Sequence, residues 1–343
     1  MTKPLVLVDP FPRRREQILS AAQWQRLTAL AEVIEAAEGA PMPDRDVDRR
    51  IADVEVIVGQ TALPTARVER AKRLRAVLNV EGNFLPNVDY ALCMERGIHI
   101  LSVAPAFSIP VAEMCIALAL DLARGVTPGD RALREGTELY GSRGNGEAIH
   151  LSRARVGIIG YGNIGRVLRR ILRGFGCDVL VYDPWVPAGA IVEDEATPVD
   201  LDTLLAGTKF IFILAGVTSE NQGFLNRAKL EKIASGSVVV LASRAGVVEF
   251  DAFLELANAG RFRAATDVFP EEPVPANAPV RASKLLLSSH RAGGTPATFE
   301  TMGEMILDDL SLVLRGLPPA RLQQARRETV ALMRSPPAHY RPR

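Results

Sequence analysis

Short apolar runs alternate with amphipathic stretches along the chain. Leu5-Val6-Leu7-Val8 is stopped by Asp9-Pro10, and 54–58, 76–80 and 98–101 repeat the pattern. Between them lie helical stretches such as 23–37. Val- and Ile-rich runs of this length, separated by helices, predict buried parallel strands with crossover helices. A second series begins at Arg155. The strand 156–159 runs into a glycine-rich turn, and 163–175 carries Ile164, Val167, Leu168, Ile171 and Leu172 at helical spacing. Strands follow at 179–182, 210–214, 238–241, 264–268 and 285–287, with a helix over 250–258 closed by Gly260. The fold class is α/β, with two doubly wound parallel sheets. Residues 126–152 are polar, Gly-rich and weakly periodic, which predicts a loop. A helix over 295–314 is placed to carry the chain back to the first series. No internal repeat is visible.

Composition narrows the class. The 343 residues are 48% hydrophobic and 24% charged, as in ordinary globular chains. A formal net charge of +1 gives no general pull toward nucleic acid or an anionic membrane. Arg321, Arg326, Arg327, Arg334, Arg341 and Arg343 read as a solvated basic tail. Cys93, Cys115 and Cys177 are scattered and form no CxxC pair, so free thiols in a reducing compartment are expected. The start reads as a first strand and its turn, not a leader. The apolar stretch 111–122 contains Glu113 and Asp121 and is too short to span a bilayer. A cytoplasmic location follows, with neither nucleic-acid nor membrane partners. No metal site is expected.

The turn Gly160-Tyr161-Gly162-Asn163-Ile164-Gly165 has the context that a lone glycine pattern lacks: a strand before it, a helix after it, and an acid ending the next strand. Gly160 permits a tight turn, Gly162 lets the backbone approach a pyrophosphate, and Gly165 lets helix and strand pack closely. The helix N-terminus offers N–H groups to phosphate. Asp183 can accept hydrogen bonds from an adenosine ribose and would repel a 2′-phosphate, so NAD is favoured over NADP.

Four histidines are available. His99 reads as a packing residue in a strand, His150 lies in the polar loop and His339 in the tail. His290 directly follows the last strand, and ligands of open α/β sheets bind outside the carboxyl ends of strands. Arg244 and Glu272 hold comparable positions after earlier strands. An imidazole exchanges a hydroxyl proton near neutral pH. A carboxylate on its other nitrogen fixes the tautomer, and an arginine grips a carboxylate bidentately. Taken singly, Arg244 also fits a surface residue at a helix start, and Glu272 one of an exposed Glu271-Glu272 pair.

These residues carry a resemblance. In order, 156–165, 241–248, 267–273 and 289–295 resemble the D-isomer-specific 2-hydroxyacid dehydrogenase family, over roughly 50–315. That family includes phosphoglycerate dehydrogenases and hydroxypyruvate reductases. The resemblance implies that His290 is the acid/base, Glu272 its partner and Arg244 the substrate-binding arginine. It places Ala242, Ser243, Asp267 and Ala292 at the nicotinamide end of NAD. It likens 79–84 to the loop whose backbone, near Glu81, Gly82 and Asn83, receives the substrate carboxylate. Asn87-Val88-Asp89 continues that motif. The implied architecture is a flavodoxin-like substrate domain, 1–103 plus 293–343, and an NAD-binding Rossmann domain, 104–292, with the active site in the cleft between them. The implied partners are a small 2-hydroxy or 2-oxo acid and a second copy in a homodimer, which Val111-Ala112-Glu113 at the start of the cofactor domain would help to meet.

The chain departs from the family at Ala245, where Gly is usual after the arginine, and at Ser289, where Pro usually precedes the histidine. The loop 215–218 lacks its usual Pro, and Glu81 puts an acid into an acid-binding loop. The resemblance stops before any counterpart of the regulatory domain that many phosphoglycerate dehydrogenases carry. A non-catalytic NAD sensor or scaffold is the main alternative. A phosphite- or formate-type dehydrogenase is another, though the formate branch pairs its histidine with glutamine.

Overall fold

A computed structural model describes residues 3–333. Arg334, His339, Arg341 and Arg343 lie outside the described residues. The chain divides into two compact units: residues up to Phe107 together with those from Gly294 on, and Ser108–Gly293. The sequence reading puts these boundaries slightly earlier, at 103/104 and 292/293.

The first unit has strands β1 (Leu5–Asp9), β2 (Glu32–Glu35), β3 (Val54–Gly59), β4 (Ala76–Asn79) and β5 (His99–Ser102). They pair in parallel in the order β5-β4-β3-β1-β2. A short strand, Gln323–Gln324, adds antiparallel to β5. The sheet buries both faces, Val6, Val8, Val56 and Leu78 on one and Leu7, Ile57 and Val77 on the other. The returning helix Pro296–Leu314 covers the first face with Met302, Met305, Ile306 and Leu310. Its Asp309 is fully buried and accepts the N–H groups of Ala320, Arg321 and Leu322 at 2.7–3.1 Å. That turns the chain so that Gln323–Gln324 can join the sheet.

The second unit has β6 (Arg155–Ile159), β7 (Asp178–Tyr182), β8 (Thr197–Pro198), β9 (Phe210–Ile213), β10 (Val238–Leu241), β11 (Arg263–Thr266) and β12 (Leu286–Leu287). All are parallel, in the order β12-β11-β10-β9-β6-β7-β8. The strand order reverses between β6 and β9, where a ligand crevice is expected. The helix Ser108–Arg124 packs on β10, β11 and the helix Asn163–Arg173, burying Ala112, Cys115 and Ala119.

Several expectations need correction. The stretch 23–37 is a helix, Ala21–Leu30, followed by β2, because Glu32-Val-Ile-Glu35 pairs with β1. Residues 126–152 are not one loop: Val126–Glu135 is a helix and Gly141–Asn145 a 3-10 turn. That helix buries none of its residues, so it lacks the inward apolar stripe by which a core helix is read. The apolar run at 111–122 is part of a longer helical segment, Ala104–Arg124. By length and composition alone that segment could cross a membrane, although half its apolar window is buried inside the protein. β11 ends at Thr266, whose hydroxyl donates to the Val268 carbonyl and turns the chain out of the sheet. Half-buried His99 lies on β5, its Nδ1 3.4 Å from Gln324 Nε2. Cys93 and Cys115 are buried free thiols, and burial raises the pKa of both, Cys93 to about 11.

Candidate active site

The glycine turn sits where β6 meets β9. Gly160 has φ +93, and a Cβ there would lie 2.4 Å from the Ala215 backbone nitrogen just after β9. Only glycine serves both the left-handed dihedral and the close crossing. At Gly165 a Cβ would lie 2.6 Å from the Gly160 carbonyl oxygen. At Gly162 it would meet nothing within 4 Å, so the backbone there is open to approach. The helix Asn163–Arg173 begins at that point.

Asp183, at the end of β7, accepts two backbone hydrogen bonds. Its Oδ2 accepts the Tyr161 N–H at 2.6 Å and its Oδ1 the Trp185 N–H at 2.8 Å. The carboxylate thus ties β7 to the turn, keeping its remaining lone pairs for a ligand. The Tyr161 ring is fully buried, and its hydroxyl donates to Asp194 at 3.1 Å. Arg166 donates to the same carboxylate at 2.7 Å and lies over the ring at 5.1 Å. Burial, helped by the Asp194 charge, pushes the Tyr161 phenol up to about 12, so it remains a neutral donor. Arg166 and Asp194 escaped the sequence reading. Arg166 follows the last glycine of the turn, but its partner lies one helix further on.

Three further groups stand after successive strands: Arg244 after β10, Glu272 after β11 and His290 after β12. His290 Nδ1 lies 2.5 Å from Glu272 Oε2, and the other carboxylate oxygen accepts the Phe269 N–H at 2.9 Å. The residue that meets the imidazole is Glu272, not Glu271. Half-burial alone would raise the Glu272 pKa. The His290 hydrogen bond and charge, the Phe269 N–H and the Arg244 charge outweigh it and hold the carboxyl below its ordinary range. With Nδ1 engaged, Nε2 is the nitrogen left for proton transfer.

The backbone under His290 is held in an unusual state. His290 has φ +52, the left-handed region that disfavours a β-carbon. Asp267, only 2% exposed, straps it from both sides. It accepts the Ser288 hydroxyl at 2.5 Å and the N–H groups of Arg291 and Ala292 at 3.1 Å each. Both carboxylate oxygens are therefore engaged in the loop that carries the histidine. Ser288, unmarked in the sequence, supplies one of those bonds.

The features of this unit fit a bound dinucleotide. The backbone at Gly162 is open, a helix N-terminus faces the turn, and the Ser243 hydroxyl after β10 is buried without a hydrogen-bond partner. Among the described residues no group of three His, Cys, Asp or Glu could hold a metal ion.

In the first unit, Glu81 follows β4 and is 7% exposed. Its carboxylate turns to Arg13, 3.1 Å away in the loop after β1. Its N–H donates to Asn79 Oδ1 at 2.8 Å, and its carbonyl accepts the Ser102 hydroxyl at 2.9 Å. Gly82 and Asn83 complete the same loop, and a Cβ at Gly82 would sit 3.4 Å from the Phe107 ring. Asp89 caps the helix Tyr90–Glu95.

The doubly wound sheet with a glycine turn at its switch point defines a dinucleotide-binding class of fold, and comparison with known proteins places the chain in a family of that class. Residues 116–292 match the model of the D-isomer specific 2-hydroxyacid dehydrogenase NAD-binding domain. The chain belongs to the D-isomer specific 2-hydroxyacid dehydrogenase family. It is 30% identical to hydroxypyruvate reductase of Thermotoga maritima over 77% of this chain and 82% of that protein. It is also 30% identical to D-3-phosphoglycerate dehydrogenase of Archaeoglobus fulgidus, over 81% of this chain and 53% of that protein. The chain thus spans about half the length of the phosphoglycerate dehydrogenases it matches. A phosphoglycerate oxidoreductase structure from Rhizobium etli superposes with TM-score 0.85 at 39% identity, covering 96% of this chain and all of that one.

Proposed function

We propose that the protein is an NAD-dependent dehydrogenase that interconverts a small D-2-hydroxy acid and its 2-oxo acid. The observation that carries this is the His290–Glu272 pair at 2.5 Å, with Arg244 on the neighbouring strand end, in the family's NAD-binding domain. When bound, NADH supplies the hydride to the substrate C2. His290 gives the proton to the carbonyl oxygen during reduction and takes it from the hydroxyl during oxidation. Glu272 holds the imidazole tautomer and stabilises the imidazolium. Arg244 pairs with the substrate carboxylate and orients it. The resemblance gives the backbone near Gly82, in the first unit, a role in receiving an acid. Asp183 sets the preference for NAD, because its charge repels a 2′-phosphate.

The test is NADH and NADPH oxidation with a panel of 2-oxo acids, including glyoxylate, pyruvate, hydroxypyruvate and 3-phosphohydroxypyruvate. Turnover with NADH that collapses in His290→Ala, while NADH binding survives, supports the proposal. NADH binding with no turnover on any acid overturns it, and equal turnover with NADPH overturns the cofactor preference.

A homodimer is also proposed. Ile109, Val126, Leu133, Leu139 and Tyr140 are 58–76% exposed and fall close together in sequence, an apolar excess that favours a partner surface. Sedimentation of the intact protein as a monomer would refute it. The unpaired thiols favour a cytoplasmic location, testable by fractionating cells that express the full chain.

A further inference from the structure

Glu81 poses a problem for a loop that receives an acid, because a buried anion beside a bound carboxylate repels it. The structure holds its answer in the loop after β1. Arg13 approaches Glu81 with two nitrogens, Nε at 3.1 Å from one oxygen and Nη2 at 3.3 Å from the other. The same Nε donates to the Val80 carbonyl at 3.0 Å. The guanidinium is flanked by two rings, 5.6 Å from the Phe107 centroid and 5.8 Å from Phe299. The two side chains are only 19% and 9% exposed. A planar cation fits such a place, where stacking and a forked contact act together. Arg13 thus grips the loop by its backbone and its carboxylate at once.

We infer that Arg13 is a positioning residue for substrate: it neutralises Glu81 and holds the 79–84 loop in the state that receives the acid. This rests on the reading that the loop near Gly82 binds the substrate carboxylate. The sign of each charge then dictates the sign of each effect. Removing Arg13 leaves the Glu81 anion uncompensated next to the incoming acid. Removing the Glu81 charge leaves a cation, which does not oppose the acid.

The test compares Arg13→Gln, Glu81→Gln and the double variant in the intact protein. With the 2-oxo acid that the unaltered protein turns over fastest, Arg13→Gln raises KM about tenfold or more, equivalent to about 1.4 kcal/mol of lost binding. Its kcat falls far less, and its NADH affinity stays near that of the parent. Glu81→Gln raises KM less than Arg13→Gln does, and the double variant recovers the part of the loss that comes from the uncompensated Glu81 charge, so that its KM lies below that of Arg13→Gln. A merely structural role would raise KM in both single variants and more in the double, with parallel losses of melting temperature.

A second readout is the melting-temperature rise that oxalate gives in the presence of NAD. Arg13→Gln abolishes it and the double variant restores part of it. If the parent turns over a 2-oxo acid and Arg13→Gln has a parental KM, the inference fails and the dehydrogenase reading stands. If the parent turns over nothing, yet oxalate stabilises it in an Arg13-dependent way, the dehydrogenase reading fails and the role of Arg13 stands. If there is neither turnover nor Arg13-dependent stabilisation, both fail.

Discussion

Asp267→Asn isolates the strap beneath His290. The carboxylate accepts from Ser288 Oγ, Arg291 N and Ala292 N at 2.5–3.1 Å, and the residue is 2% exposed. An asparagine is nearly isosteric but offers one oxygen and an NH2 group. Whichever way the amide faces, it sets its NH2 against the N–H of Arg291 or of Ala292. One backbone donor, part-buried at Arg291 or buried at Ala292, is then left unsatisfied, at about 1–3 kcal/mol, and the other bonds lose their charge assistance. The sum is about 3–5 kcal/mol. A relaxation of the left-handed His290 backbone, worth about 1 kcal/mol, returns a part of it. The net cost is about 2–4 kcal/mol, and a domain of this size loses about 2–4 °C per kcal/mol, so calorimetry should show a fall of about 4–16 °C. The relaxation also moves the imidazole. Misplacement of a catalytic group by about 1 Å can cost a hundredfold, so kcat drops by at least about tenfold. Ser288→Ala removes a single strap bond and leaves every other contact of Asp267 intact. It should show the same pattern at smaller size, which separates bracing from any direct contact of Asp267 with cofactor. An Asp267→Asn variant that melts within about 2 °C of the parent and turns over within twofold of it would refute the strap.

Glu272→Gln should lower kcat by about one to two orders of magnitude, from loss of a part-exposed charge-assisted bond to His290. Parental kcat in this variant counts against the pairing. The stability effect has a definite sign. The Glu272 carboxyl is held below its ordinary 4.5, so its contribution is fully present above that value. It is lost as the pH falls through the lowered value. Urea denaturation should find the Gln variant weaker at pH 7 and converging with the parent in strong acid. Gly160→Ala would force φ +93 on alanine and drive its Cβ to 2.4 Å from a backbone nitrogen. A loss of more than about 3 kcal/mol is expected, and with it NADH binding measured by fluorescence titration; tight binding in this variant would contradict the crossing. Gly303→Ala would place a Cβ 2.0 Å from Gln23 Oε1, in a side chain held by Ser20, Glu300 and Glu304. It should cost about 1–3 kcal/mol by thermal melting, largely relieved in a Gly303→Ala/Gln23→Ala double variant.

By itself the sequence determined what is settled over a few residues. The glycine turn is legible because its dihedral needs and the strand and helix beside it are written contiguously. The parallel strands are legible because burial on both faces demands unbroken apolar runs. Arg244, Glu272 and His290 were legible as positions, each following a strand, since strand ends set where a side chain can reach a ligand. Their meeting was implied by the family resemblance alone and not by the residues themselves, because β10, β11 and β12 become neighbours only through the sheet. Strand β2 was hidden because four residues cannot announce a strand without the partner that completes their hydrogen bonds. The helix Val126–Glu135 was hidden because it faces away from any core in the chain. Tertiary structure alone decided the fate of the charges. It turned Glu81 toward Arg13, because β1 and β4 lie two strands apart in one sheet though far apart in sequence. It also closed Asp267 around the loop of His290, since a buried carboxylate must take whatever donors the fold brings to it.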